Sequence, residues 1–241
     1  MAHDLDGAQE FYSSVLGWQY KPGFQGAGSY SVALAHGTPV AGLGAMARTL
    51  GFPVCWTAYF AVDSADLVAE RIRERSATVA VGPIEFGKGR VAWAADPADA
   101  VFGVWEGEVD PDWRVNRRAG APAWLELRTR DPFASALFYG EVFDWDRPED
   151  SCIDVRYEDD RVVLRIGGRT VADLRGGGVE DAPDPNIRPQ WHVYFCVDDV
   201  DAAADRALAA GGAVVSPPSD AHFGRIAELR DPEGGLFHLA H

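Results

Sequence analysis

The segment WHVYFCVDD, residues 191–199, alternates apolar and polar side chains, and a period of two is typical of a β-strand. Asp198 or Asp199 can then cap a helix through the alanine-rich residues 200–210, which ends at Gly211-Gly212. Three short apolar runs follow, AVVSPP, GRIAEL and GLFHLA, each bounded by turn residues. The pattern therefore predicts a strand, a helix and three further strands.

This segment has a copy 135 residues earlier in the chain. WTAYFAVDS, residues 56–64, agrees with it at Trp, Tyr, Phe, Val and Asp, but Thr57 stands where the later copy has His192. The same offset joins Asp63 to Asp198, Pro83 to Pro218, Gly89-Arg90 to Gly224-Arg225, Asp96-Pro97 to Asp231-Pro232 and Phe102 to Phe237. Two segments of similar length that match without a gap indicate two copies of one supersecondary unit.

A second repeat precedes each of these copies, at an offset of 127 residues. It matches Asp4, Phe11-Tyr12 and Trp18 to Asp131, Phe138-Tyr139 and Trp145. The chain is therefore predicted to be α+β, with four βαβββ modules paired into two tandem domains. Only three residues precede Asp4, so the first module is predicted to lack its first strand.

The predicted domain limits follow this repeat. Residues 1–107 form the first domain and residues 121–241 the second. Residues 108–120, EVDPDWRVNRRAG, carry Pro, Gly and charge without an apolar period, as a linker does.

Composition disfavours several classes of binding partner but says little about the chemistry. The formal charge of −15 disfavours nucleic acid, because nucleic-acid affinity rests on Lys and Arg that displace counterions. The N-terminus has no basic region followed by an apolar one, and no apolar run is long enough to span a bilayer. The three cysteines show no CxxC spacing. We therefore expect a cytoplasmic monomer or homodimer with a small-molecule ligand, no nucleic-acid partner and no membrane partner.

Three stretches resemble the vicinal oxygen chelate superfamily, which includes glyoxalase I, bleomycin-resistance proteins and extradiol dioxygenases. They are DPFASALFYGEVFDW (131–145), WHVYFCVDDVDAAADRALAAGGAVV (191–215) and GRIAELRDPEGGLFHL (224–239), each with a counterpart in the first half. The likeness covers nearly the whole chain and is closest to two-domain glyoxalase-like proteins of actinobacterial type. A fold of this kind does not by itself define the reaction.

The resemblance implies a cup-shaped sheet whose metal ligands come from the first and last strand of each module. Carried over by position, the ligands are His192, His238 and Asp173, a set suited to one divalent Fe, Mn, Ni or Zn ion. Trp124 falls on the fourth position and cannot ligate, but Glu126 lies two residues further along the strand as a candidate fourth ligand or general base. The corresponding positions of the first half are Thr57, Gly103 and Gly42, none of which replaces an imidazole.

Two functions remain open at this point, and so does the question of whether the protein is an enzyme. The first is a protein that binds a small, aromatic or oxygen-rich metabolite in the cup, without a metal in the first half. The alternative is a metal-dependent isomerase, lyase or dioxygenase with its site in the second half. The residues expected to contact a substrate are Trp124, Tyr59, Trp93, Tyr194 and Cys196, whereas alternation places Trp56, Phe60, Phe195 and Phe237 towards the helices.

Overall fold

The computed structural model describes residues 1–23, 30–109, 115–145, 153–158, 161–176, 189–221 and 224–241. Within them the helices α1 to α5 are Leu5–Leu16, Ala47–Leu50, Ala65–Glu74, Pro132–Phe143 and Val200–Ala209. The strands β1 to β15 are Gln19–Pro22, Tyr30–Ala35, Thr38–Gly44, Tyr59–Val62, Thr78–Phe86, Gly89–Ala95, Val101–Glu106, Pro122–Arg128, Ile153–Glu158, Arg161–Ile166, Arg169–Arg175, Gln190–Cys196, Ala213–Ala221, Gly224–Arg230 and Leu236–Ala240. The predicted α+β class is confirmed.

The last three modules share one strand order. It is β4-β7-β6-β5 in the second module, and within an eight-stranded sheet it recurs as β8-β11-β10-β9 and β12-β15-β14-β13. In each module the first and last strands pair in parallel and the remaining neighbours pair antiparallel. In the first module α1 precedes a sheet of order β1-β2-β3.

The chain packs into two compact units that do not follow the two halves of the repeat. Unit 1 comprises Met1–Trp56, Asp110–Ala123 and Val193–His241, and unit 2 comprises Thr57–Val109 and Trp124–His192. Each unit thus draws on both halves of the sequence. The domain limits 1–107 and 121–241 follow the repeat instead and stay a prediction, and residues 110–114 of the predicted linker lie outside the described ranges.

Aspartates cap the first turns of α4 and α5, and Asp199 is one of the two residues predicted to do so. Asp131 Oδ1 accepts a hydrogen bond from the backbone N–H of Ala134 at 2.9 Å, and Asp199 Oδ1 accepts one from Ala202 at 2.9 Å. These bonds satisfy N–H groups that the first helical turn leaves without a partner. No helix in the described parts of the chain combines the length and apolar character needed to cross a membrane.

Aromatic side chains build the core of each unit. In unit 1 Trp56 and Phe195 lie with their ring centroids 4.9 Å apart, and Phe237 packs against Phe11. In unit 2 Phe60 stacks on Phe143 with 4.6 Å between ring centroids. Phe60 and Phe237 thus contact helix residues, as the alternation predicts, whereas Trp56 lies before β4 and not within a strand.

Candidate ligand-binding site

Two buried carboxylates face each other across neighbouring strands of unit 2. Strands β8 and β11 run in parallel in a register that places Asp173 opposite Glu126. Glu126 is 1% exposed and Asp173 is 4% exposed. In the fourth module the equivalent strands place His238 opposite Tyr194. Asp173 and His238 thus occupy equivalent positions in the last strands of the third and fourth modules.

The alternation of side chains in β8 explains why the carboxylates lie on this face of the sheet. Leu127 and Leu174 point to the other side, where they pack in a core that includes Tyr139. Successive side chains of a strand point to opposite faces, so Glu126 and Asp173 lie on the face away from that core. We call this side the charged face, defined by Glu126, Arg128, Arg161, Asp173 and Arg175; Trp124 lies on it as well.

Three arginines surround the two carboxylates. Arg128 Nε donates to Glu126 Oε1 over 2.7 Å, which is the length of a charge-assisted hydrogen bond. Arg175 Nη1 lies 3.7 Å from Glu126 Oε2, and Arg161 Nη1 lies 3.6 Å from Asp173 Oδ2. The last two distances are those of ion pairs and exceed hydrogen-bond length.

Two carboxylate oxygens have no hydrogen-bond donor among the residues that the structure describes. They are Glu126 Oε2 and Asp173 Oδ1. An ionised carboxylate can only accept hydrogen bonds, and a buried acceptor without a donor costs about 1–3 kcal/mol. A ligand that brings a donor to this place would satisfy these oxygens.

Burial changes the protonation of Asp173. Removal from water, together with the nearby negative charge of Glu126, raises the pKa of Asp173 to about 7, although Arg161, Arg175 and Arg128 oppose the shift. The side chain therefore exchanges its proton near neutral pH, where it can act as a hydrogen-bond donor or acceptor.

His192 lies in the same unit and is buried. Burial, together with the smaller effect of the positive charge of Arg128, lowers the pKa of His192 to about 3. The imidazole is therefore neutral at physiological pH, with one ring nitrogen that donates and one that accepts.

The remaining candidates of the fourth module belong to unit 1. His238 is buried, and its ring stacks on Tyr194 with 4.4 Å between centroids and 21° between planes. The thiol of Cys196 is half-buried, and burial raises its pKa, so the thiol form dominates at neutral pH. A raised pKa does not favour a nucleophilic role for this cysteine.

Sequence comparison places these residues in a known family. A model of the glyoxalase-like domain matches residues 124–240. Over 97% of its length the chain is 34% identical to the "Putative glyoxylase CFP32" of Mycobacterium bovis, covering 89% of that protein. The chain belongs to the glyoxalase-like family. It is also 33% identical to the anthracycline biosynthesis protein DnrV of Streptomyces peucetius, with 97% of this chain and 88% of that protein covered.

Solved structures confirm the fold of this glyoxalase-like protein. The Mn(II)-bound glyoxalase from Novosphingobium aromaticivorans superposes with a TM-score of 0.58 at 16% identity, covering 99% of this chain and 78% of that one. A catechol 2,3-dioxygenase gives a TM-score of 0.58 at 13% identity, with 99% and 84% covered. At these identities the likeness concerns the fold, which is that of the vicinal oxygen chelate superfamily.

The side chains of this glyoxalase-like protein do not form a cation site in the arrangement described. No group of three or more His, Cys, Asp or Glu side chains within the described ranges could hold a metal ion. Glu126 is instead hydrogen-bonded to Arg128, the same guanidinium whose charge lowers the pKa of His192. A guanidinium beside two proposed ligands opposes a divalent cation by charge repulsion. In the arrangement described, Glu126 and His192 therefore do not have the surroundings of a metal site.

In the second module a tyrosine covers the position that matches His238. The register aligns Gly103 with both Tyr59 and Trp93, and Trp93 Nε1 donates to the Tyr59 hydroxyl at 2.7 Å. A Cβ atom on Gly103 would overlap the Tyr59 ring. In the first module the position of Gly42 is covered in the same way by the hydroxyl of Tyr30. Glycine at these positions makes room for an aromatic ring.

The sequence interpretation missed the arginines of the charged face. Arg128 and Arg175 each lie two residues after a singled-out carboxylate, so strand alternation alone could have placed them on the same face. Arg161 is different, because it reaches Asp173 only through the antiparallel pairing of β10 with β11, which the sequence does not encode locally.

Proposed function

We propose that this glyoxalase-like protein binds a small, aromatic or oxygen-rich metabolite on the charged face of unit 2 and needs no metal to do so. The observation that carries the proposal is the pair of buried carboxylate oxygens, Glu126 Oε2 and Asp173 Oδ1, without a donor among the described residues. Convergent polar groups beside an aromatic side chain are typical of small-molecule sites. Trp124 offers an aromatic surface in the same row.

A relative supports this class of ligand. DnrV carries a name that links it to anthracycline biosynthesis, and anthracyclines are aromatic, oxygen-rich molecules. The relation extends over 97% of this chain. The shared class of ligand is proposed here, and no particular anthracycline is implied.

Tryptophan fluorescence tests the proposal. The planar probe 1,8-dihydroxyanthraquinone should quench the emission of the intact chain with a saturable dependence on concentration. Trp124→Phe should remove most of the quenching, since Trp124 lies beside the carboxylates. Trp105→Phe is the matched control, because Trp105 lies on β7 and donates to the backbone of Glu108, and quenching should persist in it. Unsaturable quenching, or equal quenching in all three proteins, would contradict the proposal.

A metal-dependent isomerase, lyase or dioxygenase is the second candidate. It is favoured by the depressed pKa of His192, because a neutral imidazole is the form that ligates metals. Elemental analysis of tag-free protein after loading with Fe, Mn, Ni or Zn tests it. Fewer than about 0.1 metal ions per chain would exclude this candidate. Bound metal that His192→Ala abolishes would support it.

A further inference from the structure

We propose that the charged face recognises a hydroxy acid, a molecule whose anionic oxygen group lies next to a hydroxyl group. This inference rests on the proposed function and specifies the polar end of the ligand. It is carried by the juxtaposition of three guanidinium groups with two buried carboxylates that lack a full set of donors.

The arginines supply the part that binds an anion. Arg161 and Arg175 are held in ion pairs at 3.6 and 3.7 Å, beyond hydrogen-bond length, so their N–H groups are not committed to those carboxylates. Each guanidinium carries five donors in a planar fork that matches a carboxylate. Three positive charges against two negative ones leave the face with an excess of positive charge. A ligand carboxylate or phenolate is therefore attracted to it.

The buried carboxylates explain why the ligand needs a hydroxyl group. Glu126 Oε2, and Asp173 Oδ1 when that carboxyl is ionised, repel a ligand that presents only acceptors, since like charges at close range oppose binding. A hydroxyl next to the anionic group removes that conflict by donating to one of these oxygens. A site built around buried acceptors discriminates strongly against an analogue without the hydroxyl, because the acceptors are then left unpaired. The arginines and the carboxylates of the charged face thus require an anionic group and a hydroxyl on one molecule.

Three probes separate these requirements by calorimetric titration of the intact chain. Salicylate carries a carboxylate and an adjacent hydroxyl, benzoate lacks the hydroxyl and phenol lacks the carboxylate. We expect salicylate to bind at least about tenfold more tightly than either benzoate or phenol, the effect of about one additional charge-assisted hydrogen bond. Equal affinities for all three probes would overturn the inference.

Single substitutions then locate the effect. Arg175→Gln should weaken salicylate binding about tenfold or more, and Arg175→Lys should retain part of the affinity because it keeps the charge but loses the fork. Arg156→Gln is the matched control: Arg156 lies in the same unit, is 60% exposed and pairs with Asp154 at 2.7 Å. Its salicylate affinity should equal that of the unsubstituted chain. An equal loss in Arg175→Gln and Arg156→Gln would overturn the assignment to the charged face.

The two proposals fail in different ways. If 1,8-dihydroxyanthraquinone binds through Trp124 while salicylate shows no preference over benzoate, the hydroxy-acid inference is wrong and the proposed function stands. If neither the anthraquinone nor salicylate binds, both are wrong.

Discussion

The hydroxyl of Tyr139 donates a hydrogen bond to Asp96 Oδ2 over 3.1 Å, although the two residues come from different halves of the sequence. Trp191 Nε1 donates to the same hydroxyl at 2.9 Å. Unit 1 contains an equivalent pair of hydrogen bonds. Trp56 Nε1 donates to the Tyr12 hydroxyl at 2.8 Å, and this hydroxyl donates to Asp231 Oδ2 at 2.9 Å. The residues that mark the repeats are thus those that hold modules of the two halves together within each unit.

Removal of the Tyr139 hydroxyl should destabilise the protein. Tyr139→Phe leaves both the Trp191 N–H and an oxygen of Asp96 without their partner, and Asp96 is buried enough to raise its pKa. We expect the free energy of unfolding in urea to fall by about 1–3 kcal/mol. Tyr157→Phe is the control, since Tyr157 is 62% exposed, and it should change stability by less than about 0.5 kcal/mol. Equal stabilities of the two variants would contradict this role of Tyr139.

Asp173 should make stability depend on pH in the neutral range. Its pKa of about 7 in the folded chain exceeds the reference value of 3.8, so between these values the folded state binds more protons than the unfolded state. The contribution of Asp173 is therefore greatest in acid, and it is lost as the pH rises to about 7 and constant above it.

Asp173→Asn isolates this effect, because the amide does not titrate. Urea denaturation of both proteins between about pH 5.5 and about pH 8 should show the original chain losing stability relative to the variant as the pH rises. A constant difference over this range would show that Asp173 titrates below it.

Gly103→Ala should disturb the aromatic pair that covers this position in unit 2. The new methyl group overlaps the ring of Tyr59, which must turn away and give up its hydrogen bond from Trp93. Overpacking of this kind typically costs about 1–3 kcal/mol, although the 45% exposure of Tyr59 favours the lower end.

Gly140→Ala is the matched glycine substitution. Gly140 lies within α4, and the space that a Cβ atom would occupy there is open, so alanine should stabilise the helix by roughly 0.5–1 kcal/mol. Thermal unfolding should shift in opposite directions for the two variants. A shift of Gly103→Ala to higher temperature would contradict the close approach of Tyr59.

Local features of the fold could be predicted from the sequence, whereas contacts between modules could not. Alternation located β12, and the capping residues Asp131 and Asp199 set the start of two helices, because these signals lie within a few residues. The repeat also indicated that Asp173 and His238 hold equivalent positions. The packing of Tyr139 against Asp96 depends on surfaces far apart in the chain, and periodicity carries no information about them.

Part of the candidate site could also be predicted from the sequence. Glu126 and Asp173 were singled out as ligands or acid-base groups, and the structure pairs them in adjacent strands. Their expected partner was a metal ion, and the structure instead places Arg128 2.7 Å from Glu126 and Arg161 3.6 Å from Asp173. A guanidinium and a metal ion both neutralise a buried carboxylate, so the residue type alone does not distinguish them.

Titration of 1,8-dihydroxyanthraquinone into the protein with and without a chelator tests the central claim most directly. If the charged face binds its ligand through arginines and carboxylates, the dissociation constant should agree within about twofold between chelator-treated and untreated protein. Addition of Mn(II), Fe(II), Ni(II) or Zn(II) should not tighten binding. Loss of binding on chelation, with recovery when one of these metals is restored, would contradict metal-independent binding.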